Sequence, residues 1–356
     1  MYVVPTDQPE ADGTLAWTST TMVLVEVHAG GRTGLGWTYG GPGSATVVTE
    51  KLVDVCVGSD PFDVPGITER MTRACRNLGR PGVVACAISA VDIALWDLKA
   101  RLLDVSLTDL FGQVTPDVAI YGSGGFTTYD EAATRTQLEQ WVEEWSIPRV
   151  KIKIGESWGA DPVRDVARVA LTRSVVGADV EVYVDANGGY SRKQAVRMGR
   201  EFYEDHGVIW FEEPVSSDDL DGLREVRDGC GADVTAGEYG YSLDYFARMV
   251  DAGAVDCLQV DVTRCGGYTI WLRAAAVAAA HNLQVSGHCA PNLHAHVATA
   301  VPNVRHLEYF HDHHRIETML FDGTLDPGGG RLTPQRDRPG HGLSFRAPDG
   351  ALFRRW

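Results

Sequence analysis

Apolar residues in the second two-thirds of the chain fall in short runs, at 118–121, 150–154, 181–184, 208–211, 234–236, 257–260, 283–286 and 305–308. Most are rich in Val, Ile or Leu, as expected of strands covered on both faces. Stretches of helical periodicity lie between them, among them 129–145, 192–205 and 268–280. Seven of the eight runs end in an ionisable residue, and successive ends lie roughly 20–34 residues apart, about one strand plus one helix. The rhythm predicts an α/β fold, a TIM-like (β/α)8 or (β/α)7β barrel that gathers its strand ends around one mouth.

The region before about position 112 reads differently. Residues 21–27 alternate like a strand with one buried face, and 35–39 suggest a paired strand beyond Gly30, Gly31 and Gly34. Gly40 to Gly43 reads as a loop with Ser44 as the cap of a following helix. Over 83–103, Ala87, Ala90, Ile93, Ala94 and Leu98 form an apolar helical stripe. After about Asp322, Pro327 to Gly330 and Pro339-Gly340 mark a loop-like tail expected to run back over the N-terminal unit. The predicted organisation is an α+β domain at 1–114, completed by 323–356, and a barrel at 115–322. A chain of 356 residues suits a barrel of ~250 residues plus a smaller domain.

Composition narrows the partners. A net charge of −16 argues against nucleic acid and against an anionic membrane surface. No apolar run approaches the ~20 residues of a membrane span. The seven cysteines are odd in number and form no CxxC pair, so a reduced chain is expected. With no leader-like start at residues 1–10, the expected location is cytoplasmic.

The strand ends carry the candidate chemistry. Asp185, Glu212 and Glu238 close the third, fourth and fifth runs. Three carboxylates side by side repel unless a cation joins them; all-oxygen ligation suits Mg²⁺, or Mn²⁺ in the same role. Glu213 is expected to point away from Glu212, by the period of two in a strand. Lys151 and Lys153 share one face of the second strand, the barrel interior. Their mutual repulsion near a cation is expected to lower one pKa toward neutrality and so create a base. Asp261 and His288 end the sixth and seventh runs, where a carboxylate can fix the tautomer of a proton-transferring imidazole. Glu308 ends the eighth; neighbouring acids are expected to raise its pKa and let it meet substrate oxygens as a hydrogen-bond partner. Asn187 and Arg264, and His294 or His296, are candidate substrate contacts. The histidines at 311–314 are expected in a polar loop, not at a second metal. Together the residues suit removal of a proton α to a carboxylate, where base and cation must both contribute.

The set resembles the enolase superfamily, and within it the mandelate racemase subgroup. Lys151-Ile-Lys153 matches its Lys-X-Lys motif, in which the second lysine is the base. Asp185, Glu212 and Glu238 match its Mg²⁺ ligands, Asp261 and His288 its dyad, and Glu308 its electrophilic acid. The segment from Ser89 to Leu98 is similar to the helix before the barrel. The resemblance implies that the N-terminal domain caps the barrel, with loops near 14–20 and 40–44 closing over the substrate. It also implies a small carboxylate substrate and assembly as a homo-oligomer, dimer to octamer. Dehydration of a sugar acid is the favoured reaction by analogy. Racemisation, epimerisation or cycloisomerisation with the same residues is the alternative, and a non-catalytic sugar-acid binder the reading from another class.

Overall fold

The computed structural model describes residues 1–355. Three antiparallel strands open the chain: β1 (Tyr2–Ala11), β2 (Ala16–Ala29) and β3 (Arg32–Tyr39). The alternation at 21–27 marks only the middle of β2. The first strand escapes the pattern because its polar and apolar positions do not alternate cleanly. The following helix is Pro42–Val47, with Gly41 at its cap. Ser44 is therefore not the cap; it sits inside the helix and donates from Oγ to Val83 O at 3.0 Å.

Helix Val83–Leu103 lies directly on β3. The approach is close because Gly34 and Gly36 carry no side chain. A Cβ at Gly36 would lie 2.3 Å from Ala90 O, and one at Gly34 2.2 Å from Ala94 O. Apolar packing of Val25, Leu52, Ile67, Met71, Val91 and Leu95 fills this unit.

Eight parallel strands then close into a barrel: β4 (Val118–Gly124), β5 (Arg149–Lys153), β6 (Glu181–Asp185), β7 (Val208–Glu212), β8 (Asp233–Ala236), β9 (Cys257–Val260), β10 (Gln284–Gly287) and β11 (Val304–Phe310). They pair in sequence order, and β11 pairs with β4 to complete the circle. Val150, Ile152, Val182, Val184, Phe211, Val234 and Leu258 point outward to the helices and are fully buried there. Inside, Tyr121, Tyr183 and Trp210 pack with His306 into an aromatic floor. The helix expected over 129–145 becomes Glu131–Glu139 followed by a wide turn at Gln140–Glu144.

Arg331–Leu332 pairs with β4, and Ser344–Phe345 with Phe321–Asp322. His341 donates its backbone N–H to Asp97 Oδ1 at 2.8 Å, and its Nε2 lies 3.1 Å from Leu35 O. No helix among the described residues is long and apolar enough to cross a membrane.

Candidate active site

Register sets the first row of charges. Lys153 is level with Asp185, and Asp185 with Glu212, across β5, β6 and β7. Residues two apart on a strand share a face, so Lys151 lies one step deeper, its ammonium 5.2 Å above the Tyr121 ring. All four side chains are buried. Lys151 Nζ lies 2.5 Å from Glu212 Oε2, 2.7 Å from Glu308 Oε1 and 3.8 Å from Asp185 Oδ2. Lys153 Nζ is hydrogen-bonded to Asp185 Oδ2.

These contacts reverse the expectation that a lysine pKa falls. Burial pushes both ammonium groups down, but for Lys151 the Glu212, Glu308 and Asp185 carboxylates outweigh it, and for Lys153 the Asp185 carboxylate does so chiefly. Both pKa values lie above the usual lysine value. Glu308 is also the opposite of what its acidic surroundings suggest. Burial favours its neutral form, yet Lys151, then His288 and Lys153, hold it well below the usual carboxylate range. Its oxygens accept from Ser123 Oγ (2.6 Å) and Cys289 N (3.0 Å) as well as from Lys151.

Gly237 places Glu238. Its φ is +138°, and a Cβ there would meet Gln259 O at 2.0 Å, so only glycine lets the chain turn and aim the next side chain inward. Carboxylate oxygens of Asp185, Glu212 and Glu238 lie within 4.8 Å of one another. Glu212 Oε1 and Glu238 Oε2 are buried without a hydrogen-bond partner. His288 Nε2 stands 3.1 Å from that Glu238 oxygen, but not in line for a hydrogen bond. Two ammonium groups here face four carboxylates, counting Glu308. Arg264 also pairs with Glu238, so negative charge is still in excess, and hard oxygen donors suit Mg²⁺. The residues therefore fit such an ion.

Glu213 does not point away. β7 ends at Glu212, so the period of two stops there; Glu213 turns with φ +37° and is buried. Burial, then Glu238, Asp185 and Glu212, push its carboxyl well above the ordinary range. Asn187, also at positive φ (+46°), donates its N–H to Asp185 Oδ1 at 2.9 Å.

Across the mouth, Asp261 Oδ2 lies 2.8 Å from His288 Nδ1. Thr263 donates to Asp261 Oδ1 from N (2.6 Å) and Oγ1 (2.7 Å). Despite burial, the bond from His288 lowers Asp261 to about 2. Burial works against His288 protonation, but Cys289, Glu238 and Glu308 raise its pKa well above the usual value. Arg264 Nη1 reaches Glu238 Oε1 at 3.2 Å, and Nε lies 3.5 Å from Asp261 Oδ2.

These groups open into a cavity of about 350 Å³ whose far wall comes from the N-terminal unit, including Asp12 in the turn after β1 and Trp17 and Thr20 of β2. His294 is not part of it. It is fully buried and takes the Val262 N–H on Nε2 at 2.9 Å, bracing the loop after β9. His296 is buried against Thr108 (3.2 Å). The segment holding His311–His314 is a helix, His311–Leu320, not a loop. Its His313 lines the cavity, stacked on Tyr39 with ring centroids 3.4 Å apart. Cys289, Phe310 and Asp312 also line it; sequence reading missed all three, since nothing but their places just after His288 and Glu308 points to them.

Two family models match the chain: the mandelate racemase/muconate lactonizing enzyme N-terminal domain over residues 3–112, and the enolase C-terminal domain-like family over 133–349. An L-talarate/galactarate dehydratase from Salmonella typhimurium is 31% identical over 95% of this chain and 83% of its own length. A crystal structure of a mandelate racemase/muconate lactonizing enzyme-like protein from Rubrobacter xylanophilus is 50% identical. It superposes with a TM-score of 0.95 over 99% of this chain and 97% of its own. A racemase from Streptomyces coelicolor A3(2), solved with bound magnesium, is 30% identical with a TM-score of 0.92 over 99% of this chain and 97% of its own. Other curated relatives carry the names arabinonate, D-gluconate and D-galactonate dehydratase and 3,6-anhydro-α-L-galactonate cycloisomerase. The chain belongs to the mandelate racemase/muconate lactonizing enzyme family of the enolase superfamily.

Proposed function

We propose that the chain is an acid-sugar dehydratase that takes the α-proton from a sugar-acid carboxylate and expels the β-hydroxyl. One observation carries the reading: two groups able to transfer protons, Lys153 and His288, line one cavity and each contacts a member of the three-carboxylate cluster, Lys153 at Asp185 and His288 at Glu238. Asp185, Glu212 and Glu238 would hold Mg²⁺, which supplies positive charge against the negative charge that develops on the substrate carboxylate.

The chain's own groups do the rest. Lys153, in its neutral form, removes the Cα proton. The electron pair left on carbon delocalises into the carboxylate as an enediolate, then returns to form the Cα–Cβ double bond as the Cβ–O bond breaks. His288, protonated and held by Asp261, gives its proton to the departing hydroxyl, which leaves as water. The enol left behind tautomerises to a 2-keto-3-deoxy acid. Asp185 is both the partner of the Lys153 ammonium and a candidate ligand, so the carboxylate that now holds the proton on Lys153 is also one the cation would draw. Lys151, pinned between Glu212 and Glu308, keeps its charge and faces the carboxylate row. Glu308 is a positioning residue: it fixes Lys151 and the Cys289 backbone. Asn187 and Arg264 border the same cavity and would meet substrate oxygens.

Racemisation is the second reading, favoured by the same pair of groups and by the racemase relative. Incubation in D₂O with Mg²⁺ separates the two. A keto-deoxy product supports dehydration; α-deuterium in an acid that keeps its β-hydroxyl shows racemisation and overturns it.

A further inference from the structure

The far end of the cavity has the wrong charge for a second acid group. The cavity floor holds Lys153, Glu238 and His288, whereas the opposite wall is built from Asp12 in the turn after β1, Trp17 and Thr20 of β2, and Asp312 after β11. Thr20 Oγ1 is hydrogen-bonded to Asp312 Oδ2, so the two layers meet there.

Among the described residues, each basic group lining the cavity is already committed or uncharged. Lys153 is held by Asp185. Arg264 is shared between Glu238 and Asp261, at the floor end. His288 is bound to Asp261. His313 accepts from Ala290 N (3.3 Å), and burial lowers its pKa to about 3, so it is neutral. Arg315 sits behind Asp312, bonded to Asp312 Oδ1 (3.0 Å) and Pro5 O (2.6 Å) and paired with Asp7 (3.3 Å).

A further buried acid lies beside this wall. Glu10 is fully buried, bonded to Trp17 Nε1 at 2.9 Å through one oxygen, and its other oxygen has no partner. Burial, reinforced by Asp312, raises it to about 8. Hydroxyls, by contrast, suit this wall: Asp12, Asp312 and Thr20 offer oxygen acceptors beside the Trp17 side chain.

We propose that the enzyme selects sugar acids with one carboxylate, bound at the floor, and rejects those with a second carboxylate at the far end. The proposal rests on the acid-sugar reading above and names its substrate class.

A panel of aldonates and the aldarates of matching hydroxyl configuration tests it, with Mg²⁺ present. Both kcat/KM for keto-acid formation and the ligand-induced rise in Tm are measured. The favoured aldonate is expected to exceed its matching aldarate by at least about 100-fold in kcat/KM, the scale of one unscreened like-charge contact. Leu15→Arg, at an exposed lining position, puts a cation at the far wall and is expected to shift the ratio at least about tenfold toward the aldarate. Equal or better turnover of the aldarate by the unaltered enzyme overturns the selectivity but leaves dehydration standing. Aldonates that raise Tm without turnover, while aldarates do neither, sink dehydration and uphold the selectivity. Absence of any Tm rise or turnover across the panel sinks both.

Discussion

At the scale of single residues, the site turns on which charges already have partners. Lys153→Ala removes the proposed base and His288→Asn the proposed acid, and neither touches the three clustered carboxylates except through Asp185 and Glu238. Each substitution should lower kcat about 10²–10⁴-fold, the usual worth of one proton-transfer group, with Mg²⁺ binding retained by calorimetry. Full activity in both variants would refute the assignment. A second buried acid gives a pH test away from the metal. Glu317 accepts from Asn292 Nδ2 at 2.6 Å and from Tyr39 OH at 3.1 Å. Burial raises it to about 7 despite those bonds. Between about pH 4.5 and 7 the folded protein keeps this proton while the unfolded chain releases it, so folding stability falls as pH rises through that window. Glu317→Gln cannot titrate. It should match the parent near pH 4.5 and exceed it by up to about 3 kcal/mol above pH 7, read from urea unfolding at both values. An equal difference at both pH values would rule out titration as the cause.

At the scale of elements, turns decide where strand-end chemistry points. Gly237→Ala would force a Cβ to within 2.0 Å of Gln259 O at φ +138°. It should cost about 2–4 kcal/mol in stability and weaken Mg²⁺ binding at least tenfold, because Glu238 moves with the turn. Unchanged metal affinity in a destabilised variant would separate Glu238 from the cation. The same point explains what was legible in the sequence. The barrel strands were, because runs such as 257–260 and 208–211 are apolar and bounded by polar loops. So were the seven strand ends, because a charged residue closing an apolar run must face something. Glu213 was not, since its direction depends on a positive φ that an L-residue does not announce. The pKa directions of Lys151, Lys153 and Glu308 were not either. Each depends on distances of a few ångströms, and composition alone does not say whether lysine meets lysine or lysine meets carboxylate. Helix His311–Leu320 was hidden because its first four residues, His-Asp-His-His, carry no apolar stripe; Ile316 and Leu320 supply the buried face only afterwards.

At the scale of the whole molecule, the cavity exists only while the N-terminal unit stays docked on the barrel, and buried polar bonds do the docking. Asp92, in helix Val83–Leu103, accepts from Thr68 Oγ1 (2.6 Å), Thr269 Oγ1 (2.5 Å) and Thr269 N (3.1 Å), with Thr269 on barrel helix Gly267–Ala280. Burial raises Asp92 to about 6, so even a partly neutral carboxyl serves here as the shared acceptor. Thr38 Oγ1 to Thr263 O (2.7 Å) and Gly266 N to Ser89 Oγ (2.9 Å) cross the same seam, so losing one tie should loosen the cap without releasing it. Asp92→Ala strands the buried Thr269 N–H and hydroxyl, while the Thr68 hydroxyl falls back on Val64 O (3.1 Å); each unsatisfied group costs about 1–3 kcal/mol before relaxation, and a net loss of about 2–4 kcal/mol is expected. The functional consequence should be selective. All three clustered carboxylates belong to the barrel, so Mg²⁺ affinity should hold within about twofold. The far wall belongs partly to the cap, so KM should rise more than kcat falls. Calorimetric metal titration and steady-state kinetics on one preparation read both. A fall in metal affinity parallel to the rise in KM would show that the cap shapes the ion site as well, and that the two layers do not divide recognition and chemistry between them.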